Sequence, residues 1–205
     1  MENYISIISI ILIIIGYFIF LLQYIINNNQ KTNNMTGFDL AKEITLDYNN
    51  INIIESNEIT LSNYHLKRKV IRLTKKTYES NSLFTLTISA YLSCLSLINN
   101  KYINQLKRIL PRIDYLNKSP IIMLILLYII NTITDAKIGT ILGLIILIYQ
   151  YYYLQITSEC IAIAKEKKII KKEIIKGLEK IYLSNKLFFI STLIILLKFI
   201  MIIIN

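Results

Sequence analysis

The chain has 205 residues, 54% of them hydrophobic, and a formal net charge of +10. Its apolar residues stand in long uninterrupted blocks, which argues against one large soluble core and for helices in a bilayer. The basic residues flank those blocks, and the shared richness in Ile, Asn, Lys and Tyr is what AT-rich codons encode, so the charge does not point to nucleic acid.

Residues 4–26 form the first block, 23 residues without a charge. As a helix they cover about 34 Å, enough for the hydrocarbon core. The start Met1-Glu2-Asn3 is not basic, and Asn27-Asn28-Asn29-Gln30 follows where a cleavage site would need small residues. A retained transmembrane anchor is therefore expected, not a cleaved signal peptide.

A polar domain is expected over 35–118. Thr36 is placed to cap a helix, Asp39 lies in its first turn, and Leu40, Ala41, Ile44 and Leu46 supply a partial apolar face. The β-branched runs 51–54 and 70–73 predict short strands. Residues 83–98 are uncharged but carry Thr85, Thr87, Ser89, Ser93 and Ser96. They predict a helix packed inside the polar domain or against the membrane hairpin, with a fifth span as the weaker option.

Pro111 and Pro120 punctuate a basic stretch, after which 120–157 reads as a membrane hairpin. Its apolar runs 121–133 and 138–156 are joined by Thr134-Asp135-Ala136-Lys137, and Tyr149, Tyr151, Tyr152 and Tyr153 resemble an interfacial belt. Residues 159–186 have apolar positions at Ile169, Ile170, Ile174, Ile175, Leu178, Ile181 and Tyr182, the pattern of an amphipathic cytoplasmic helix lying along the bilayer face or against the polar domain. A terminal span over 187–204 is interrupted only by Lys198, which can snorkel or face the bundle.

The stretches 27–119 and 158–186 hold 13 and 8 of the 23 Lys and Arg residues, all but Lys137 and Lys198. Four spans with the N-terminus outside put both stretches in the cytoplasm. The expected fold is thus a mostly α protein of the cell membrane. It has about four transmembrane helices and a small α+β domain between the first and second. Cys94 and Cys160 are far apart and form no CxxC, so each reads as a small buried hydrophobe and no disulfide is expected.

The order of parts resembles the bacterial membrane-bound neutral zinc metallopeptidase family. Met35-Thr36-Gly37 stands where that family has an MTG helix start. Residues 63–74, beginning Asn63-Tyr64-His65-Leu66, stand where it has a segment like HYDPRKKVVRLS. Tyr64, Lys69, Arg72, Leu73 and Tyr78 match without gaps, and Leu110-Pro111, the hairpin and the terminal span follow in the same order. The resemblance covers nearly the whole chain and implies a metallopeptidase-like domain.

The catalytic element departs from the family. Its HExxH falls on Tyr91-Leu92-Ser93-Cys94-Leu95. Zinc needs two imidazoles one helical turn apart, with a glutamate to take the proton of the bound water. Tyr91 and Leu95 stand for the imidazoles, Leu92 for the base, and the third-ligand glutamate falls approximately on Thr157. His65 is the single histidine, and its flanking residues make it a loop or surface residue before a ligand. A site made of Cys94, Cys160, His65 and Glu159 has no support in the spacing. There is no Gly-rich phosphate loop, nucleophile elbow or carboxylate pair in an apolar segment. No catalytic, cofactor-binding or metal-binding residue is therefore assigned, and no cofactor is expected.

The expected function is that of a non-catalytic relative, a pseudoprotease scaffold in contact with membrane lipid and with a protein partner such as an active paralogue. Two other readings stand beside it: an active membrane metallopeptidase with an unrecognised site, and a small envelope or transport accessory subunit.

Overall fold

The computed structural model describes residues 2–31, 35–48, 50–57, 62–65, 68–98 and 135–204. The first half of the expected hairpin, 121–133, and the elements at Pro111 and Pro120 lie outside the described residues.

Three described helices are long and apolar enough to cross a membrane. Helix α1 is Glu2–Asn29, α5 is Ala136–Glu166, and α6 is Lys172–Ile204. At helical rise they measure about 40–50 Å, more than the hydrocarbon core of about 30 Å needs. The surplus turns of α5 and α6 carry most of their lysines. Here the structure differs from the expectation of one amphipathic helix over 159–186. That segment breaks after Glu166, where Lys167 caps α5 through its N–H to the Ile163 carbonyl, and α6 begins at Lys172. Its apolar positions Ile170, Ile174, Leu178 and Ile181 are buried in the core. The same spacing that reads as one continuous helix is here a turn and the inward face of α6.

Small residues let the long helices approach. The Ser184 hydroxyl donates to the Gly16 carbonyl at 2.8 Å, and Ser191 donates to the Ser9 carbonyl at 3.0 Å. These pairs make α1 and α6 antiparallel. Gly139 lies under the Phe199 ring and Gly143 under Leu196, so α5 and α6 are antiparallel too. Asp135 caps α5, its carboxylate accepting from the Lys137 and Ile138 N–H groups.

The smaller elements gather where α1 ends and the α5–α6 turn lies. Helix α2 is Gly37–Thr45, and strands β1 Asn52–Glu55, β2 Asn63–His65 and β3 Val70–Leu73 form a sheet of order β1-β3-β2. β1 runs parallel to β3, and β2 antiparallel. Helix α3 is Lys75–Glu79 and α4 is Leu83–Leu97. The Leu83 N–H donates to the Gln30 carbonyl, Tyr24 meets Phe84 edge-on, and Lys167 pairs with Asp47 at 3.0 Å. The end of α1, the small domain and the α5–α6 turn therefore share one end of the molecule. The core is divided accordingly. One buried cluster joins α2, the sheet and α4 to the facing parts of α5 and α6, while Ile13, Ile146, Phe188, Ile195 and Phe199 form a second toward the other end.

The α2 start agrees with the expectation in detail. The Thr36 hydroxyl accepts from the Asp39 N–H, and the Asp39 carboxylate accepts from the Thr36 N–H at 3.0 Å. Gly37 lies directly against the α3 backbone, where a Cβ would collide with the Thr77 carbonyl.

Candidate functional site

Helix α4 carries the positions Tyr91, Leu92 and Leu95 at which a zinc motif is expected to fall. Ser82 caps it by accepting from the Thr85 N–H. Every residue from Leu83 to Leu95 is buried, which explains the unbroken lack of charge. The hydroxyls satisfy carbonyls. Thr87 donates to Leu83, Ser93 to Ser89, and Ser96 to Ser93, while Ser89 reaches across to the Gly37 carbonyl and ties α4 to α2. Such bonds let a Ser- and Thr-bearing helix stay in an apolar core without unmet polar groups.

Tyr91, Leu92 and Leu95 have side chains at most 1% exposed, and so does Thr157 on α5. The two helices meet at this level: the Cys160 thiol lies 3.8 Å from the Tyr91 carbonyl oxygen. The Thr157 hydroxyl is turned back on its own helix and donates to the Tyr153 carbonyl at 2.8 Å. The face of α4 that would present imidazoles to a metal thus carries a tyrosine and leucines buried in the core. Leucine has no lone pair for a metal, so the donor set does not fit zinc.

The other candidate ligands are not assembled. His65 is half-buried at the end of β2, and its Nδ1 accepts from the Arg68 N–H at 3.3 Å, a turn-closing role. Lys69, in the same β2–β3 connection, takes the left-handed conformation with φ 52°. Among the described residues, no group of three or more His, Cys, Asp or Glu side chains could hold a metal ion. Burial pushes the Cys94 thiol up to about 12, with the charge of Lys167 opposing more weakly, so it is not a thiolate nucleophile at neutral pH.

Three of the residues on which the expected resemblance rests have packing roles. Tyr64 and Leu73 lie in the core, and Tyr78 stacks on Phe38 with ring centroids 4.6 Å apart. A cavity not foreseen from the sequence, about 350 Å³, lies between the end of α1, α3 and α4. Its one sequence signal is Thr74-Lys75-Lys76-Thr77, two adjacent lysines between hydroxyls immediately after β3.

Together these features define a mostly helical chain with three membrane-length helices and a small three-stranded α/β layer at one end. No family model, curated protein or solved structure matches it.

Proposed function

We propose that the chain is an integral membrane protein built on a metallopeptidase-like plan that has lost zinc chemistry and acts as a non-catalytic scaffold for a protein partner. The observation that carries this reading is the closed contact between α4 and α5. Tyr91, Leu92, Leu95 and Thr157 are buried, leaving neither a donor set nor a cleft for a scissile peptide at that register. The resemblance at Met35-Thr36-Gly37, and at Tyr64, Lys69, Arg72, Leu73 and Tyr78, supports the shared plan. So does the placement of α5 against α4 where the third ligand would have to stand.

The same proposal includes four spans with the small domain in the cytoplasm. Ile98 belongs to the core cluster of the domain end, and Ala136 packs against the cluster toward the other end. The 37 residues between them, 99–135, include the uncharged run 121–133, which supports a fourth span. The lysines of α3 and of the α5–α6 turn support an inside location for this end.

Zinc analysis of the purified protein, together with a casein or peptide cleavage assay run with and without chelator, tests the proposal. Far less than one zinc per chain and no chelator-sensitive cleavage are expected. Stoichiometric tightly held zinc, or cleavage abolished by chelator, overturns it in favour of an active peptidase.

A further inference from the structure

The cavity beside α3 combines features that the metallopeptidase-like plan does not use. Its floor is made by Thr77, Phe84, Thr85 and Ile88, all buried, and Lys75 and Lys76 stand exposed on its rim. No carboxylate lines it among the described residues. One wall is Tyr24 of α1, whose ring lies 6.0 Å beneath the Lys76 ammonium and meets Phe84 edge-on at 4.9 Å. Tyr24 stands in the last turn of the uncharged run of α1, beside the exposed Ile25 and Ile26. The cavity therefore opens at the depth where acyl chains give way to headgroups.

A second observation concerns charge over the same end of the molecule. Lys168, Lys171, Lys172, Lys176 and Lys180 are exposed around the α5–α6 turn. Clustered lysines next to membrane helices attract an anionic leaflet, each by about 1 kcal/mol. This field raises the local concentration of anionic lipid but selects no single molecule. The cavity supplies selection, because it pairs two ammonium groups with hydroxyls and an apolar floor.

We propose that this cavity binds the headgroup of one anionic phospholipid. The phosphate takes charge-assisted hydrogen bonds from Lys75 and Lys76. Ser56, Asn57 and Thr74 face the polar part of the headgroup, and the glycerol esters and first methylenes lie against Tyr24, Phe84 and Ile88. A free phosphate shares the first of these interactions and gains nothing from the apolar floor. The proposal rests on the membrane reading of α1.

Native mass spectrometry of the full chain in neutral detergent tests it. The protein is titrated with dioleoyl phosphatidylglycerol or dioleoyl phosphatidylcholine, and inorganic phosphate is added as competitor. Phosphatidylglycerol is expected to bind in preference to phosphatidylcholine and to resist displacement by phosphate. Lys75→Ala/Lys76→Ala is expected to weaken it about tenfold, and Lys168→Ala/Lys171→Ala much less. All four lysines are exposed, so circular dichroism should show both variants folded. Equal binding of the two lipids, equal weakening by the two variants, or displacement by phosphate overturns the proposal. A chain that stays soluble and monodisperse without detergent sinks the membrane reading itself, a separate result from indifference to lipid charge.

Discussion

At Thr36 and Asp39 a pair of short side chains satisfies backbone groups that a helix start leaves open, and the carboxylate also faces the positive end of the α2 dipole. Hydrogen bonds from the Thr36 N–H and hydroxyl hold the Asp39 carboxyl below the ordinary aspartate value of 3.8, outweighing a small desolvation cost. A depressed folded value means that the unfolded chain takes up the proton first. The contribution to stability is therefore complete above the unfolded value and lost as pH falls through the folded one. Asp39→Asn should lower the unfolding midpoint at neutral pH, and the gap to the parent chain should close in acid. Thermal unfolding followed by circular dichroism at a series of pH values reads this directly. A gap that stays constant into acid would mean that the charge of Asp39 contributes nothing. Thr36→Ala, which removes the reciprocal partner, should cost about 1 kcal/mol.

Among the elements, α1 and α6 are joined by contacts that an apolar run does not announce. Ser9, Ser184 and Ser191 are buried polar residues in long isoleucine-rich stretches. Their spacing alone cannot say whether each hydroxyl bonds its own helix or the next. In the fold, Ser184 and Ser191 cross to Gly16 and Ser9, whereas Thr192 donates to Phe188 within its own helix. Interhelical bonds of this kind average about 0.6 kcal/mol in a membrane. Ser184→Ala and Ser191→Ala should each destabilise the chain by about that much in detergent or bilayer, and Thr192→Ala by less. Equal losses at all three positions would show that the crossing bonds carry no special weight. Other elements were readable because local rules governed them: the Thr36 cap, the β-branched strand β3, and the uncharged α4. Strand β2 was not, since Asn63-Tyr64-His65 is short and held by pairing with β3, not by its own pattern. The break at Lys167 was hidden for a related reason. Ile170, Ile174, Leu178 and Ile181 keep a helical spacing across the turn because the turn returns the chain to the same core. At the candidate site, the residue types alone show that Leu92 and Leu95 offer no donor to a metal. The packing of Cys160 on Tyr91 and the cavity beside Lys76 depend on which helices meet, and no spacing records that.

For the whole molecule, the antiparallel packing of three long helices divides the described surface into two ends. Asn57, just beyond β1, is exposed at the end that carries the small domain. Lys137, in the first turn of α5, is exposed at the other, where Gly139 meets Phe199 and the N-terminal part of α1 lies along the last turns of α6. If these helices span a bilayer, Asn57 and Lys137 face opposite compartments. Single cysteines at the two positions, Asn57→Cys and Lys137→Cys, report on this with a membrane-impermeant maleimide. The native thiols make a low background, because Cys94 and Cys160 are both buried and the Cys94 thiol is held protonated. In intact cells only Lys137→Cys should label; after permeabilisation both should. The reverse pattern would keep the long helices across the bilayer and turn the molecule over, placing the lysine-rich end outside against the charge rule. Labelling of both positions in intact cells would mean that α5 does not start on the far side from the small domain. The antiparallel bundle then could not lie across the membrane, and the closed α4–α5 contact would need explaining as the core of a chain resting on the bilayer surface.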